Sequence, residues 1–529
     1  MNNPTVVGIL YLFFIVGVGS MIGHIKIKSI GLGAAAVLFL AIASSAVYAA
    51  THHPDPPEVP EALGTFGLAL FTFTVGLQSG PTFFASLRRN WAVILSVVAF
   101  VGVAAAVAVG GGHLLGLDSA TSAGTFAGSL TNTPGLAAAR DAAGREAVGD
   151  VTVGYAVAYL GGVLGILATV QLALRRRTAD TDTPPELVTR TVRVEVSQGR
   201  SIAEEEARYS DRISFTRIRH GEQNPIEAAD NDDTLHRNDL VTIVGPMADV
   251  EKVTEDLGHM SSHRLEADRE QVDMRRIIVS RSRAAGMTVG ELDLAARFGA
   301  TVSRIRRGDV DRVASDDDML QLGDRVRVVA PADQMAAVSA FFGDSARGMS
   351  DITPILLGLG MVLGILLGAI EIPVPGGTFD IGSAAGTLIV GLMLGRLGRL
   401  GPMVTAMPFT ASQTLSELGL LVFLAQAGSA AGPSIVTAFE SGQWVKILLL
   451  GVLVTGTFCV GLYVVMRRVF HVGGTKLSGI VSGSQTQPAA LAFANDRTGY
   501  DPRVALGYAL VYPGAMIAKI LLGQVLGGL

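Results

Sequence analysis

Gly128-Ser129-Leu130-Thr131-Asn132-Thr133-Pro134 is echoed late in the chain by Gly483-Ser484-Gln485-Thr486-Gln487-Pro488. Both stretches lie between apolar segments, and both join small residues, hydroxyls or amides, and a proline. Proline removes a backbone donor, and the groups it frees need partners that hydrocarbon cannot supply. Paired breaks of this kind, one in each half of a duplicated membrane chain, point to a transporter's substrate site.

The composition agrees with a membrane setting. Of 529 residues, 49% are hydrophobic and only 16% charged, with a mean hydropathy of +0.45. The 64 glycines suit close helix packing in a bilayer. A net charge of −5 argues against a nucleic-acid partner, which would call for a basic face. The single cysteine, Cys459, excludes an intrachain disulfide and reads as a small core residue. Met1 to Val7 carries no Lys or Arg, so no cleavable signal is expected.

Two apolar blocks flank a polar one. Residues 1–177 read as a first membrane repeat and 351–529 as a second. The stretch between them concentrates Arg, Asp and Glu and reads as a cytoplasmic region of two modules, 178–265 and 266–350. The membrane blocks are copies. Leu63–Phe71 aligns with Leu415–Phe423, Gly80-Pro81 with Gly432-Pro433, and Gly154-Tyr155-Ala156-Val157-Ala158-Tyr159 with Gly507-Tyr508-Ala509-Leu510-Val511-Tyr512. The polar block is duplicated too. Thr216-Arg217-Ile218-Arg219-His220-Gly221 returns as Ser303-Arg304-Ile305-Arg306-Arg307-Gly308, and Asn238-Asp239-Leu240-Val241 as Gly323-Asp324-Arg325-Val326. Short alternating strands with Gly/Asp turns, followed by a helix such as Ala332 to Phe342, predict two small α+β modules.

Basic residues orient the chain. Lys26 and Lys28, Arg88-Arg89, Arg175-Arg176-Arg177, Arg396 and Arg399, and Arg467-Arg468 all fall on the cytoplasmic side if each half has five full spans and its proline-broken element does not cross. The expected fold is therefore a polytopic α-helical membrane protein. It has two inverted repeats, each of five spans plus a re-entrant hairpin, with an inserted α+β cytoplasmic region of two tandem modules. A helical arm of about 11 residues rises about 16 Å, half of a roughly 30 Å core, so each turn would lie near mid-membrane. The hairpins would enter from opposite faces and meet. Arg140 and Arg145 would then lie outside, and both termini outside the cell.

Together these residues resemble the aspartate:alanine exchanger family of bacterial secondary transporters, whose wider membership includes succinate exporters. The likeness covers the hairpins, the Gly-Tyr-Ala segments and the paired modules. The modules look like the C-terminal regulatory (RCK_C/TrkA_C) domains of potassium-uptake systems. The resemblance implies exchange of amino acids or C4 dicarboxylates across the cytoplasmic membrane, a homodimer, and elevator-type movement. It leaves the substrate open.

Candidate substrate-binding residues are Ser129, Thr131, Asn132, Thr133 and Pro134 in the first turn and Ser484, Gln485, Thr486, Gln487 and Pro488 in the second. Hydroxyls and amides offer donors without a buried charge, and the helix after each proline points its N-terminus at the turn, which favours a carboxylate. The plainer alternative is that these groups cap their own broken helices. Lys519 interrupts an apolar stretch of the last span, where an ammonium is costly and a dicarboxylate would be its counter-ion. Its alternative is snorkelling to an interface. Gln78 and Gln426 flank the Gly-Pro pairs and either line the cavity or join helices. Tyr155, Tyr159, Tyr508 and Tyr512 read as packing residues with a hydrogen-bonded tip.

Asp118, Asp141, Asp150, Glu371 and Glu417 are expected at span ends or in loops, not at mid-span. That pattern favours exchange of one anion or zwitterion for another over ion-driven uptake. The alternatives are an ion-coupled carrier, or a ligand-gated cation channel that would need a carbonyl-lined filter. No catalytic, metal or cofactor site is expected, because no mid-span aspartate pair, histidine-rich motif or serine–histidine pairing appears. A small ligand or ion on the cytoplasmic modules, or a purely dimerising role for them, fits equally well.

Overall fold

A computed structural model describes residues 4–25, 33–51, 58–175, 177, 180, 187–196, 201–209, 212–268, 270–307, 310–345, 353–374, 377–380, 382–401, 403–499 and 501–529. Lys26, Lys28, Arg176 and Gly308, and the side chains of Arg88, Arg89, Arg145 and Pro488, lie outside the described residues. The chain divides into two compact units: Met1–Thr183, Pro354–Arg396 and Ser412–Leu529 in one, and Pro184–Thr353 with Leu397–Ala411 in the other.

The first half of the helical unit runs α1 (Pro4–Gly23), α2 (Ala35–Ala50), α3 (Glu61–Leu115), α4 (Ser119–Ser129) and α5 (Thr133–Leu174). α3 bends at Asn90 (φ −129°, ψ 32°), which separates two apolar segments. α5 breaks at Gly144, whose φ of 74° is open to a residue without Cβ.

The polar unit holds two antiparallel sheets. Its first module comprises β1 (Leu187–Val194), α6 (Ile202–Arg208), β2 (Ser214–Arg219), β3 (Glu227–Ala228), β4 (Leu240–Pro246), α7 (Met247–Leu257) and β5 (Gly258–Met260), in sheet order β3-β2-β4-β1-β5. The second comprises β6 (Val272–Ile278), α8 (Leu294–Phe298), β7 (Thr301–Arg307), β8 (Val310–Val313), β9 (Arg325–Pro331) and α9 (Met335–Phe342), in order β6-β9-β7-β8. The duplication read in the sequence reappears as a matched irregularity. The β2–β4 register shifts between Phe215 and Arg217, and the β7–β9 register between Val302 and Arg304. At the bulge, Thr216 Oγ1 donates to the Thr242 carbonyl at 3.3 Å and Ser303 Oγ to the Arg327 carbonyl at 3.1 Å.

The second half of the helical unit follows: α10 (Pro354–Gly368), the hairpin β10 (Glu371–Val374) and β11 (Gly377–Asp380), α11 (Ser383–Leu397), then β12 (Arg399–Leu400) and β13 (Met403–Val404). After these come α12 (Phe409–Ser429), α13 (Gly432–Glu440), α14 (Gln443–Arg468), α15 (Gly474–Ser484), α16 (Pro488–Thr498) and α17 (Pro502–Gly527). Among the described residues six helices are long and apolar enough to cross a membrane, within Thr5–Gly23, Glu61–Gly80, Asn90–Leu115, Glu146–Leu174, Gln443–Arg468 and Arg503–Gly527. The bent pair α12–α13 and the shorter apolar helices α2, α10 and α11 add to them.

Three details go beyond the sequence reading. The second membrane block does not run unbroken from 351, because Leu397–Ala411 joins the polar unit: Val404 and Ala406 are buried in the core of its second module beside Ile277 and Leu320. Arg140 is buried, since the arm that carries it packs along α17: a methyl at Gly523 or Gly527 would run into the Gly135 or Ala139 backbone. Glu417 lies within α12, on an exposed face, rather than at a span end.

Candidate functional site

Each proline-containing stretch breaks a helix. The first arms, α4 and α15, are both 11 residues long. Leu130-Thr131-Asn132 and Gln485-Thr486-Gln487 then turn the chain into α5 and α16. The turns share one backbone path. Thr131 and Thr486 have φ of 50° and 54°, and the following Asn132 and Gln487 are extended at φ −108° and −111°. A β-branched residue in the left-handed region is strained, and it holds only where its surroundings over-determine it.

Glycines let the neighbouring helices press against the arms. A methyl at Gly124 or Gly128 would strike the carbonyls of Val151 or Tyr155, and one at Gly479 or Gly483 those of Val504 or Tyr508. In return, Gly154 abuts the Thr121 carbonyl and Gly507 the Lys476 carbonyl. This close backbone approach accounts for the Gly-Tyr pair recurring in both halves.

The two turns touch. Thr131 Oγ1 donates to the Gln485 carbonyl at 2.7 Å, and Asn132 Nδ2 to Thr486 Oγ1 at 3.2 Å. Lys519, fully buried on α17, donates to the Leu130 carbonyl at 3.0 Å and lies 3.5 Å from Thr486 Oγ1. Snorkelling is therefore not its geometry. Its Nζ is 5.9 Å from the Phe458 ring centroid, and no carboxylate pairs with it among the described residues.

Capping accounts for part of the polar set. Asn132 Oδ1 accepts from the Gly135 amide at 2.5 Å and Gln487 Oε1 from the Ala489 amide at 3.3 Å. The remaining groups face inward. Gln487 Nε2 donates to the Tyr159 hydroxyl at 3.0 Å, and Thr133 Oγ1 stands 3.0 Å from the Tyr155 hydroxyl. Gln485 Nε2 reaches Cys459 Sγ at 3.4 Å. Ser129 Oγ, Ser484 Oγ and Gln485 Oε1 are buried without a hydrogen-bond partner among the described residues. Unsatisfied buried oxygens are costly, and their clustering at both turns marks a place where a solute or water donor would be gained.

Pro134 is buried at the start of α5, and Pro488 opens α16. Gln426 is drawn elsewhere: its Oε1 accepts from Arg140 Nη1 at 3.3 Å, while the guanidinium lies 5.8 Å from the Phe423 ring centroid. Gln78 is half-buried on α3, with no hydrogen bond to either turn among the described residues. Tyr155 and Tyr159, expected to pack with a hydrogen-bonded tip, meet their partners at the turns, and Arg140 donates to Gln426. The repeated spacing of the tyrosines from the broken element signals them, but not which turn residue each hydroxyl meets.

At the base of the second element, Asp180 accepts from the Gly474 and Thr475 amides at 2.5 and 2.8 Å, capping α15, with Arg467 and Arg503 each 3.8 Å away. Asp118 plays that part locally for α4, accepting from the Thr121 amide at 2.6 Å. Nearby, a cavity of about 430 Å³ is lined by Arg177, Thr475, Arg497, Thr498, Gly499, Asp501 and Arg503. The Arg503 guanidinium, 2.7 Å from Asp501, holds that carboxyl below its usual range. Three guanidiniums against one carboxylate give the opening a surplus of positive charge.

Comparison with known proteins supplies the context. The family model described as a predicted permease membrane region (Asp-Al_Ex) matches residues 11–175 and 356–528, and a TrkA-C domain model matches residues 274–343. An uncharacterized transporter of Geobacter sulfurreducens is 41% identical, covering 99% of this chain and 98% of the relative. One of Symbiobacterium thermophilum is 39% identical over 99% and 98%. One of Corynebacterium diphtheriae is 35% identical over 98% and 93%.

Proposed function

We propose a function on the premise that this chain belongs to the aspartate–alanine exchanger family and is a transporter: it exchanges small carboxylated solutes, amino acids or C4 dicarboxylates, at the meeting point of its two broken helices. The carrying observation is Lys519, a buried side-chain amine that touches both turns and lacks a carboxylate partner among the described residues. Burying an unpaired cation is expensive, and an anionic solute would offset that cost. The unpartnered oxygens of Ser129, Ser484 and Gln485 would accept from an ammonium or a water carried with it. The arginine-rich cavity at the base of α15 would draw anions toward the second turn.

The architecture we infer is a pair of inverted repeats of five spans, each with one re-entrant element, in the cytoplasmic membrane. The termini would be outside and the polar unit inside, as the basic residues at the span ends favour. Both modules would have a regulatory role, which the TrkA-C match to the second supports. Elevator-type movement in a homodimer completes the proposal, and its support is the resemblance to the family.

Reconstituted liposomes test the reading. Preloaded aspartate, alanine or succinate should accelerate uptake of a labelled partner. Equal uptake by empty vesicles would remove exchange from the proposal. Labelling of single introduced cysteines near residue 140 and at both termini would test the topology, and labelling of the termini from the cytosol would overturn it.

A further inference from the structure

The two modules of the polar unit differ at one matched spot. In the second, Asp324 opens the turn into β9, and Arg307 at the end of β7 grips it twice, Nε to Oδ1 at 2.8 Å and Nη2 to Oδ2 at 2.6 Å. Oδ2 also accepts from the Gln321 amide at 2.8 Å. The first module builds the same turn. Asp239 precedes β4, its Oδ2 accepts from the His236 amide at 2.8 Å, and its Oδ1 accepts from the Gly221 amide at 3.2 Å. The residue in the place of Arg307 is His220, and the one in the place of Gln321 is His236.

This carboxylate is as buried as its counterpart, at 3% against 2% side-chain exposure, but among the described residues its ion-pair partners are the histidines His220 and His236 in place of a guanidinium. His220 Nδ1 is 3.0 Å from Asp239 Oδ2 and His236 Nδ1 is 3.8 Å from it. The two rings stand 6.0 Å apart, and one ligand atom from each of the three residues lies within 4.8 Å of the others. Bonds of about 2.0–2.1 Å at tetrahedral angles put ligand atoms roughly 3.3 Å apart, so small ring rotations suffice.

We propose that His220, His236 and Asp239 form a binding site for a divalent transition cation of the zinc type, which supplies to the first module the positive charge that Arg307 supplies to the second. Two imidazoles and a carboxylate are the donor set such borderline cations select. The carboxylate is already aimed by two backbone amides, which fixes one ligand before the ion arrives. Both histidines are partly exposed, at 40% and 62%, leaving an entry path and room for a fourth ligand from solvent. Metal binding would then tie the end of β2 to the turn into β4 in one module, while the other is locked by its own arginine.

The test uses the full-length, untagged protein in detergent, stripped with chelator and dialysed against zinc chloride. The wild type should retain about one zinc per chain, and cobalt(II) in its place should give the visible absorption of a nitrogen- and oxygen-ligated ion. His236→Ala should weaken zinc binding at least as much as loss of an outer-shell partner does, roughly 10–100-fold. His220→Arg copies the second module's pair, so it should abolish binding while the metal-free protein melts no lower than wild type. No saturable zinc binding by the wild type, or unchanged stoichiometry and affinity in His220→Arg, would overturn the site.

Discussion

The Thr131 hydroxyl donates to the Gln485 carbonyl at 2.7 Å, tying the turn of the first broken helix to the turn of the second. The two residues are 354 positions apart, yet neither turn is complete without the other. Removing that hydroxyl while keeping the side chain's shape, as in Thr131→Val, should cost about 1 kcal/mol of the joined arrangement. We expect normal expression and a transport rate altered about fivefold in a counterflow assay. An unchanged rate would show that separation of the turns is not part of the cycle.

Lys519 separates substrate classes. In Lys519→Met the buried charge is gone and the shape largely kept, so a detergent melt should hold or rise. Affinity for dicarboxylates should fall about tenfold or more, equivalent to about 1.4 kcal/mol, and by less for a zwitterion. Equal losses for both, measured by uptake of labelled succinate and alanine, would assign the residue to structure.

The glycine seams predict where a single methyl is not tolerated. Gly128→Ala and Gly483→Ala would push the arms away from the Tyr155 and Tyr508 carbonyls. Each should cost about 1–3 kcal/mol, seen as a lower melting temperature by fluorescence size-exclusion. Gly102→Ala meets nothing within 4 Å and serves as the control that should not move.

Asp180→Ala would leave two amides of α15 uncapped and Arg467 and Arg503 without their shared carboxylate. A lost cap costs about 1 kcal/mol, more where charge is also unpaired. The second arm should fray first, visible as faster hydrogen exchange at residues 474–478 than at 119–123 of the first.

Much of this arrangement was legible beforehand because duplication repeats its own punctuation. A proline in an apolar run, a polar turn before it and glycine at fixed distance read the same way twice, so arms, turns and Lys519 could be named from the chain. The partners could not. Arg140 looks like a loop residue because its charge forbids lipid, but a helix packed along α17 hides it from both lipid and water and gives its guanidinium the Gln426 carbonyl and the Phe423 face. Tyr159 reads as a packing ring with a hydrogen-bonded tip, but only the fold shows that Gln487 is the partner of that tip. Likewise Asp180 follows the last basic cluster of the first membrane block, and only the fold brings it to α15.

The excursion of Leu397–Ala411 into the polar unit sets a limit on dissecting this protein. Excising residues 184–353 would strip Val404 and Ala406 of the side chains that bury them and leave a sticky loop between α11 and α12. The excised piece, produced alone, would in turn miss a wall of its own second module, where Arg399 donates to the Arg283 carbonyl at 3.2 Å. A clean amputation therefore needs a matching graft: the loop must be carried with the domain and a short linker put in its place.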